Sequence, residues 1–291
     1  MAVVRTGYGL VVPPGPRNSA LTRVQPFFEQ AFVIDSTGAA WLPKLLAASP
    51  RGRFVLPEVI DEPGGLLDPM LGPHPNGKVP RACFELRVAA PVGFLRWCID
   101  NPDKLSWPRP GSFSPETTVW RRALIFDEPP GRRRAQEEAH RLLMEHSPRK
   151  RGSWWRFEGE SSIDCVIETE RLVVTVEGKR MDVLSAATDW YGARTQLVRN
   201  LEAARELANG RRWGTILVSE KLIAEGSIDA VAASVDNAAP HLSKPDRARL
   251  EAAYLGNITW RQACNAAGIA FDSLPDAVSV GGSAIHPLNC P

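Results

Sequence analysis

The sequence predicts a mixed α/β fold in which a helix, three strands, a helix and a strand follow one another within residues 116–222. Three observations predict it. Residues 171–179 alternate with the period of a strand. Residues 132–146 and 189–210 repeat apolar positions with the period of a helix. Residues 212–220 form a short apolar run of the length of a buried strand.

Residues 1–25 contain Pro13, Pro14 and Pro16 with several glycines and read as a loosely attached arm. Residues 26–115 mix short apolar runs with proline and glycine, and no function is legible in them. Within this region FFEQAFVID (27–35) reads as a strand, VGFLRWCIDNP (92–102) as a short helix stopped by Pro102, and 61–80 as loop. VWRRALIF (119–126) fits a strand. RRRAQEEAHRLLMEH (132–146) is a helix whose Ala135, Ala139, Leu142 and Leu143 share a face.

SWWRFEG (153–159), IDCVIET (163–169) and RLVVTVEGK (171–179) are three strands, the last two joined by a tight turn near Glu170. DWYGARTQLVRNLEAARELANG (189–210) is a long helix, with Asp189 as its expected N-cap and Gly210 as its expected stop. Residues 223–291 form a polar helical segment, in which 245–257 and 259–269 make two helices with a short connection, read first as a packed helical hairpin covering the sheet.

The strand 171–179 carries the chemistry. Val173, Thr175, Glu177 and Lys179 project to one face, and Val174, Val176 and Gly178 to the other. Gly178 leaves its face bare for close packing. The turn folds the preceding strand back antiparallel, which brings Asp164 beside Glu177. Two carboxylates and an ammonium group then converge at a strand end. Mg2+ takes oxygen ligands and commonly binds one or two protein carboxylates plus a substrate phosphate. Lys179 is placed to orient a water or to neutralise charge at an attacked phosphorus. On the following helix, Gln196 and Asn200 lie at i, i+4 beside the apolar stripe of Trp190, Ala193, Leu197, Leu201 and Ala204. On the preceding helix, Glu138 lies near the apolar face and is a further candidate acid.

Composition limits the alternatives. The 291 residues suffice for one large domain or two small ones, and 44% hydrophobic with 23% charged residues is ordinary globular usage. A net charge of +2 does not by itself argue for nucleic acid. Arg132, Arg133, Arg134, Arg149, Lys150, Arg151 and Arg156 do crowd into one stretch, read either as a solvated face or as a phosphate-facing one. No apolar run reaches membrane-spanning length, and the N-terminal residues do not read as a secretory signal. Five scattered cysteines without a CxxC argue against zinc or a disulfide framework and for a cytoplasmic location. His74, His140, His146, His241 and His286 show no metal spacing.

The order helix, three strands with Asp164 and then Glu177-Gly178-Lys179, helix, strand resembles the PD-(D/E)xK nuclease superfamily. That group includes restriction endonucleases, Holliday-junction resolvases and recombination exonucleases. The resemblance covers roughly residues 130–220, and FEGESSIDCVIETERLVVTVEGKRMD followed by DWYGARTQLVRNLEAA is similar to bacterial proteins of this kind. It implies a restriction-endonuclease-like αβββαβ core at 116–222 and phosphodiester hydrolysis dependent on Mg2+ or Mn2+. It implies Asp164 and Glu177 as metal ligands, Lys179 as catalytic lysine and Glu138 as the acid of the first helix. Gln196 would match the glutamine of a QxxxY motif, in which Asn200 stands where tyrosine is usual. Ile163 stands where the superfamily has proline before the aspartate.

The expected partner is nucleic acid, with DNA favoured, contacted through Arg156, Lys150, Arg194 and Asn200. No membrane is expected, and a homodimer is an allowed assembly. Two other readings use the same residues. One is a catalytically silent protein of this fold that binds nucleic acid or serves as a scaffold. The other is a regulator using 245–269 as a helix-turn-helix, with Arg261, Gln262 and Asn265 as base readers.

Overall fold

The computed structural model describes residues 18–55, 82–107, 115–146, 154–169, 171–180, 184, 188 and 190–277. Five strands, β1 (Ala82–Ala89), β2 (Glu160–Glu168), β3 (Leu172–Lys179), β4 (Arg212–Ser219) and β5 (Tyr254–Thr259), form one open sheet in the order β1-β2-β3-β4-β5. The first three pair antiparallel; β4 runs parallel to β3, and β5 parallel to β4. The sheet therefore extends beyond 116–222 in both directions along the chain.

Helices cover both faces, as a sheet with apolar residues on each side requires. On one face lie α1 (Gln25–Ile34), α2 (Leu42–Ala48), the short α3 (Gly52–Val55) and, from the far end of the chain, α10 (Trp260–Ala267). Their Phe27, Phe28, Leu45, Leu46 and Trp260 pack with Cys165, Val174, Val176 and Ile216. On the other face α7 (Gln196–Ala208), α8 (Ile228–Ala238) and α9 (Lys244–Ala252) pack Leu197, Leu201, Val231 and Leu250 around Leu217 and Tyr254. A separate cluster joins α4 (Val92–Asp100), α5 (Pro115–Phe126) and α6 (Pro129–Glu145) to Trp154, Trp155, Phe157 and Trp190. Among the described residues, no helix is long and apolar enough to cross a membrane.

Several expectations need correction. Of residues 27–35, all but the extended C-cap Asp35 are helical: Phe27, Phe28 and Ala31 are buried while Val33 is 87% exposed, a helical rather than an alternating pattern. The segment 119–126 belongs to helix α5, whose buried stripe is Thr117, Arg121 and Leu124 at i, i+4, i+7. Arg121 is buried because it donates to the carbonyls of Trp154 and Arg156 and lies 4.3 Å from the Trp190 ring centre. The described part of 153–159 is a turn, not a strand, and Trp154 and Trp155 are both buried. Its place in the sheet is taken by β1.

The supposed N-terminal arm is outside the described residues up to 17. From Ala20 it is a π-helical turn, Ala20–Val24, packed into the core through Val24. The loop at 61–80 also lies outside the described residues. Helix α7 begins at Gln196, not at 189: Thr195 caps it by accepting from the Val198 N–H, and Asp189 lies outside the described residues. It ends in left-handed Asn209 and Gly210, with φ 45° and 88°. The helix-turn-helix outline fails, because Tyr254–Thr259 is strand β5 between α9 and α10. Gly256, with φ 109°, sits at a register shift where Pro50 leaves no room for a Cβ. Gln262 closes a capping box with Thr259, and Arg261 lies over the Phe271 ring.

Candidate functional site

β3 buries both faces until its last residue, so any charge near its end needs partners. Thr175 and Glu177 face helix α7. The Thr175 hydroxyl meets the Thr215 hydroxyl at 2.7 Å, and Glu177 lies beyond it, fully buried. Three donors enclose the Glu177 carboxylate. Gln196 Nε2 donates to Oε1 at 2.7 Å, Asn200 Nδ2 donates to Oε2 at 2.5 Å, and Lys179 Nζ lies 2.8 Å from Oε1. The i, i+4 spacing on α7 places both amides on Glu177. The other face of β3 is closed by Gly178, where a Cβ would come within 2.2 Å of Val24 Cγ2 and 3.0 Å of the Trp260 ring. Trp260 Nε1 also donates to the Lys179 carbonyl at 3.0 Å, which fixes the strand end from behind.

Asp164 sits one step beyond the last paired residues of β2 and β3, Cys165 and Val176, which brings it opposite Glu177. Its Oδ2 accepts the Gly178 N–H at 2.8 Å, and the residue is half-buried. Burial first, and then the Glu177 charge, hold the Asp164 carboxyl well above the usual aspartate range, against the lowering by the Gly178 N–H. Burial also raises Glu177, opposed by the Lys179 charge and the donated hydrogen bonds.

Glu85 is a residue that the sequence reading missed. The register pairs its neighbours Phe84 and Leu86 with Cys165 and Ile163, which sets Glu85 opposite Asp164 in β1. Its backbone is left-handed, with φ 53°, an uncommon conformation for a residue with a side chain. Glu85 accepts from the Ser162 hydroxyl and adds to the rise in the Asp164 pKa. The alternation of Phe84, Leu86 and Val88 with Glu85 and Arg87 is the signal that marks this strand.

The structure thus brings Asp164, Glu177, Lys179, Gln196 and Asn200 together. It does not bring Glu138 to them. Glu138 is on α6, which packs on α4 and α5, and its carboxylate receives the Arg141 guanidinium at 2.7 and 2.9 Å. That hydrogen bond holds its pKa below the usual range. Among the described residues, no group of three or more His, Cys, Asp or Glu side chains is placed to hold a metal ion.

Two of the expected nucleic-acid contacts are also corrected. Arg194 is completely buried: it donates to Glu158 at 2.7 and 3.1 Å and to the Ala238 carbonyl at 3.0 Å, and pairs with Glu202. Burial alone would raise the Glu202 pKa, but the Arg194 charge and the His241 hydrogen bond lower it overall. Arg194 therefore anchors the entry to α7 and meets no phosphate. Asn200 is 1% exposed and is turned to Glu177. The Arg156 carbonyl accepts from Arg121, and its side chain is half-exposed; Lys150 lies outside the described residues. Comparison of the chain with family models, curated proteins and solved structures gave no match.

Proposed function

We propose that the chain is a metal-dependent nuclease with a PD-(D/E)xK, restriction-endonuclease-like core, hydrolysing phosphodiester bonds of nucleic acid, with DNA favoured. One observation carries the reading: Glu177 is held at the C-terminal end of β3 by Gln196, Asn200 and Lys179, beside Asp164. The antiparallel β1-β2-β3, the crossover helix α7 and the parallel β4 support the core assignment. On this reading α4, α5 and α6 are an insertion between β1 and β2.

The residues fit a hard divalent cation. Lys179 pairs with Glu177, and beside it the Asp164 carboxyl accepts the Gly178 N–H. The Asn200 Oδ1 oxygen is also buried without a hydrogen-bond partner among the described residues. Asp164 and Glu177 would hold the cation, whose chemistry when bound is to acidify its water and polarise a phosphoryl oxygen. Gln196 and Asn200 fix Glu177 in one rotamer. Lys179 carries the positive charge that meets the growing negative charge at phosphorus. Hydrolysis joins a water oxygen to phosphorus and breaks one P–O ester bond. One water proton goes to the departing sugar oxygen, and the other leaves the new phosphate.

The buried, unbridged Cys98, Cys165 and Cys264 support a reducing, cytoplasmic setting. A second reading, a binding or scaffold protein without turnover, is favoured by the complete enclosure of Glu177. The two separate in one assay. Purified protein is given single- and double-stranded DNA and RNA with Mg2+, Mn2+ or EDTA. Cleavage with metal and none in EDTA supports the nuclease; affinity without cleavage supports the binder.

A further inference from the structure

Helix α7 carries a cation that the chemistry above leaves unused. Arg199 follows Gln196 by three residues and precedes Asn200, so it lies on the flank of the helix beside the Glu177 donors. It reaches toward β2, where its Nη1 is 3.4 Å from the Ser161 hydroxyl, a long contact. Its Nε is buried and has no hydrogen-bond partner among the described residues.

The surroundings explain why Arg199 Nε has no acceptor among the described residues. Glu158 would be a natural partner, but Arg194 occupies both of its carboxylate oxygens. The three donors described above occupy Glu177. Other buried arginines show what satisfaction looks like here: Arg23 binds Glu220 and two carbonyls, and Arg121 binds two carbonyls. Arg199 feels both Glu158 and Glu177, while burial and the Arg194 charge act to lower its pKa. A buried guanidinium N–H without an acceptor is unfavourable unless something else supplies one.

We propose that Arg199 is a phosphate ligand: its guanidinium receives a non-bridging oxygen of a phosphodiester lying over Asp164 and Glu177. This rests on the nuclease reading and adds a substrate contact to it. A phosphate oxygen suits the group because the planar fork of arginine offers paired N–H donors to such oxygens. The Ser161 hydroxyl holds the guanidinium on the β2 side of the site. The phosphate then meets both Arg199 and Lys179, the two cations whose charges act on Glu177.

The test uses the full chain. The Nε–Hε resonance of Arg199, assigned by its loss in Arg199→Lys, is followed while dimethyl phosphate is added in the presence of Ca2+. A saturable shift is expected. In parallel, binding of a DNA duplex in Ca2+ is measured against salt for wild type, Arg199→Gln and Arg199→Lys. Arg199→Gln should weaken binding by roughly ten- to hundred-fold and flatten the log K against log salt slope by about 1, whereas Arg199→Lys keeps the slope. A resonance that does not move, with an unchanged slope in Arg199→Gln, overturns the proposal even if the duplex is cut with Mg2+. A moving resonance with no cleavage under any metal keeps the phosphate contact and removes the nuclease.

Discussion

Asn200 donates its amide N–H to the fully buried Glu177 at 2.5 Å, linking helix α7 to strand β3 across the sheet face. A buried carboxylate is tolerable only while its donors are present. Hydrogen bonds to charged groups contribute about 1.5–3 kcal/mol. Asn200→Ala should therefore destabilise the protein by about that amount, read as a fall in the urea midpoint at constant m. A change within about 0.5 kcal/mol, the range of ordinary surface substitutions, would show that Glu177 does not depend on this donor.

Asp164 has the opposite sign. Its folded-state pKa is raised, so ionisation works against folding. The penalty is absent below the ordinary aspartate range, grows as pH rises toward the folded pKa, and is complete above it. Asp164→Asn, which keeps an acceptor for the Gly178 N–H, should unfold at a higher temperature than wild type at pH 7. The gap should close as pH falls to the ordinary aspartate range. Equal melting temperatures across the whole pH range would contradict the electrostatic account.

Arg194 holds the entry to α7 between Glu158, Glu202 and the Ala238 carbonyl. Removing one member of such a cluster leaves buried charge uncompensated, at a cost of about 3–5 kcal/mol. Arg194→Met should lose that much stability. An arginine free to contact phosphate would instead weaken nucleic-acid binding on substitution and leave the urea midpoint unchanged.

Gly178 is tight against Val24. Gly178→Ala should cost about 1–3 kcal/mol by overpacking. Val24→Ala in the same chain should return part of that loss, because it removes the methyl group that a new Cβ would strike. Additive losses in the double variant, measured by denaturant unfolding, would place the strain elsewhere.

The parts of the fold that the sequence reveals are those in which one period controls burial. Strand β3 alternates into a polar end, and the stripe Leu197, Leu201 and Ala204 marks α7, so the Glu177–Gln196–Asn200 arrangement follows from local spacing. The start of α7 does not, because Trp190 belongs to the cluster under α4–α6 and Thr195 supplies the cap. Helix α5 is hidden because its buried stripe contains Thr117 and Arg121, whose partners are carbonyls and rings distant in sequence. Strand β5 is short and broken by Gly256, so it resembles a loop between helices until β4 is there to pair with it. Arg194 shows the same limit for charge: a basic residue near a site reads as a phosphate contact until Glu158 and Glu202, supplied by other parts of the chain, arrive.

On the proposed reading, Asp164, Glu177 and Lys179 act together on a phosphodiester. The most direct measurement is single-turnover cleavage of DNA with saturating Mg2+ or Mn2+, comparing wild type with Lys179→Ala of verified fold. The account predicts metal-dependent cleavage that EDTA abolishes, slowed by ~10²–10³ in Lys179→Ala, the usual consequence of losing one preorganised electrostatic contact. Cleavage that persists in EDTA, or a Lys179→Ala protein that cuts as fast as wild type, would contradict it.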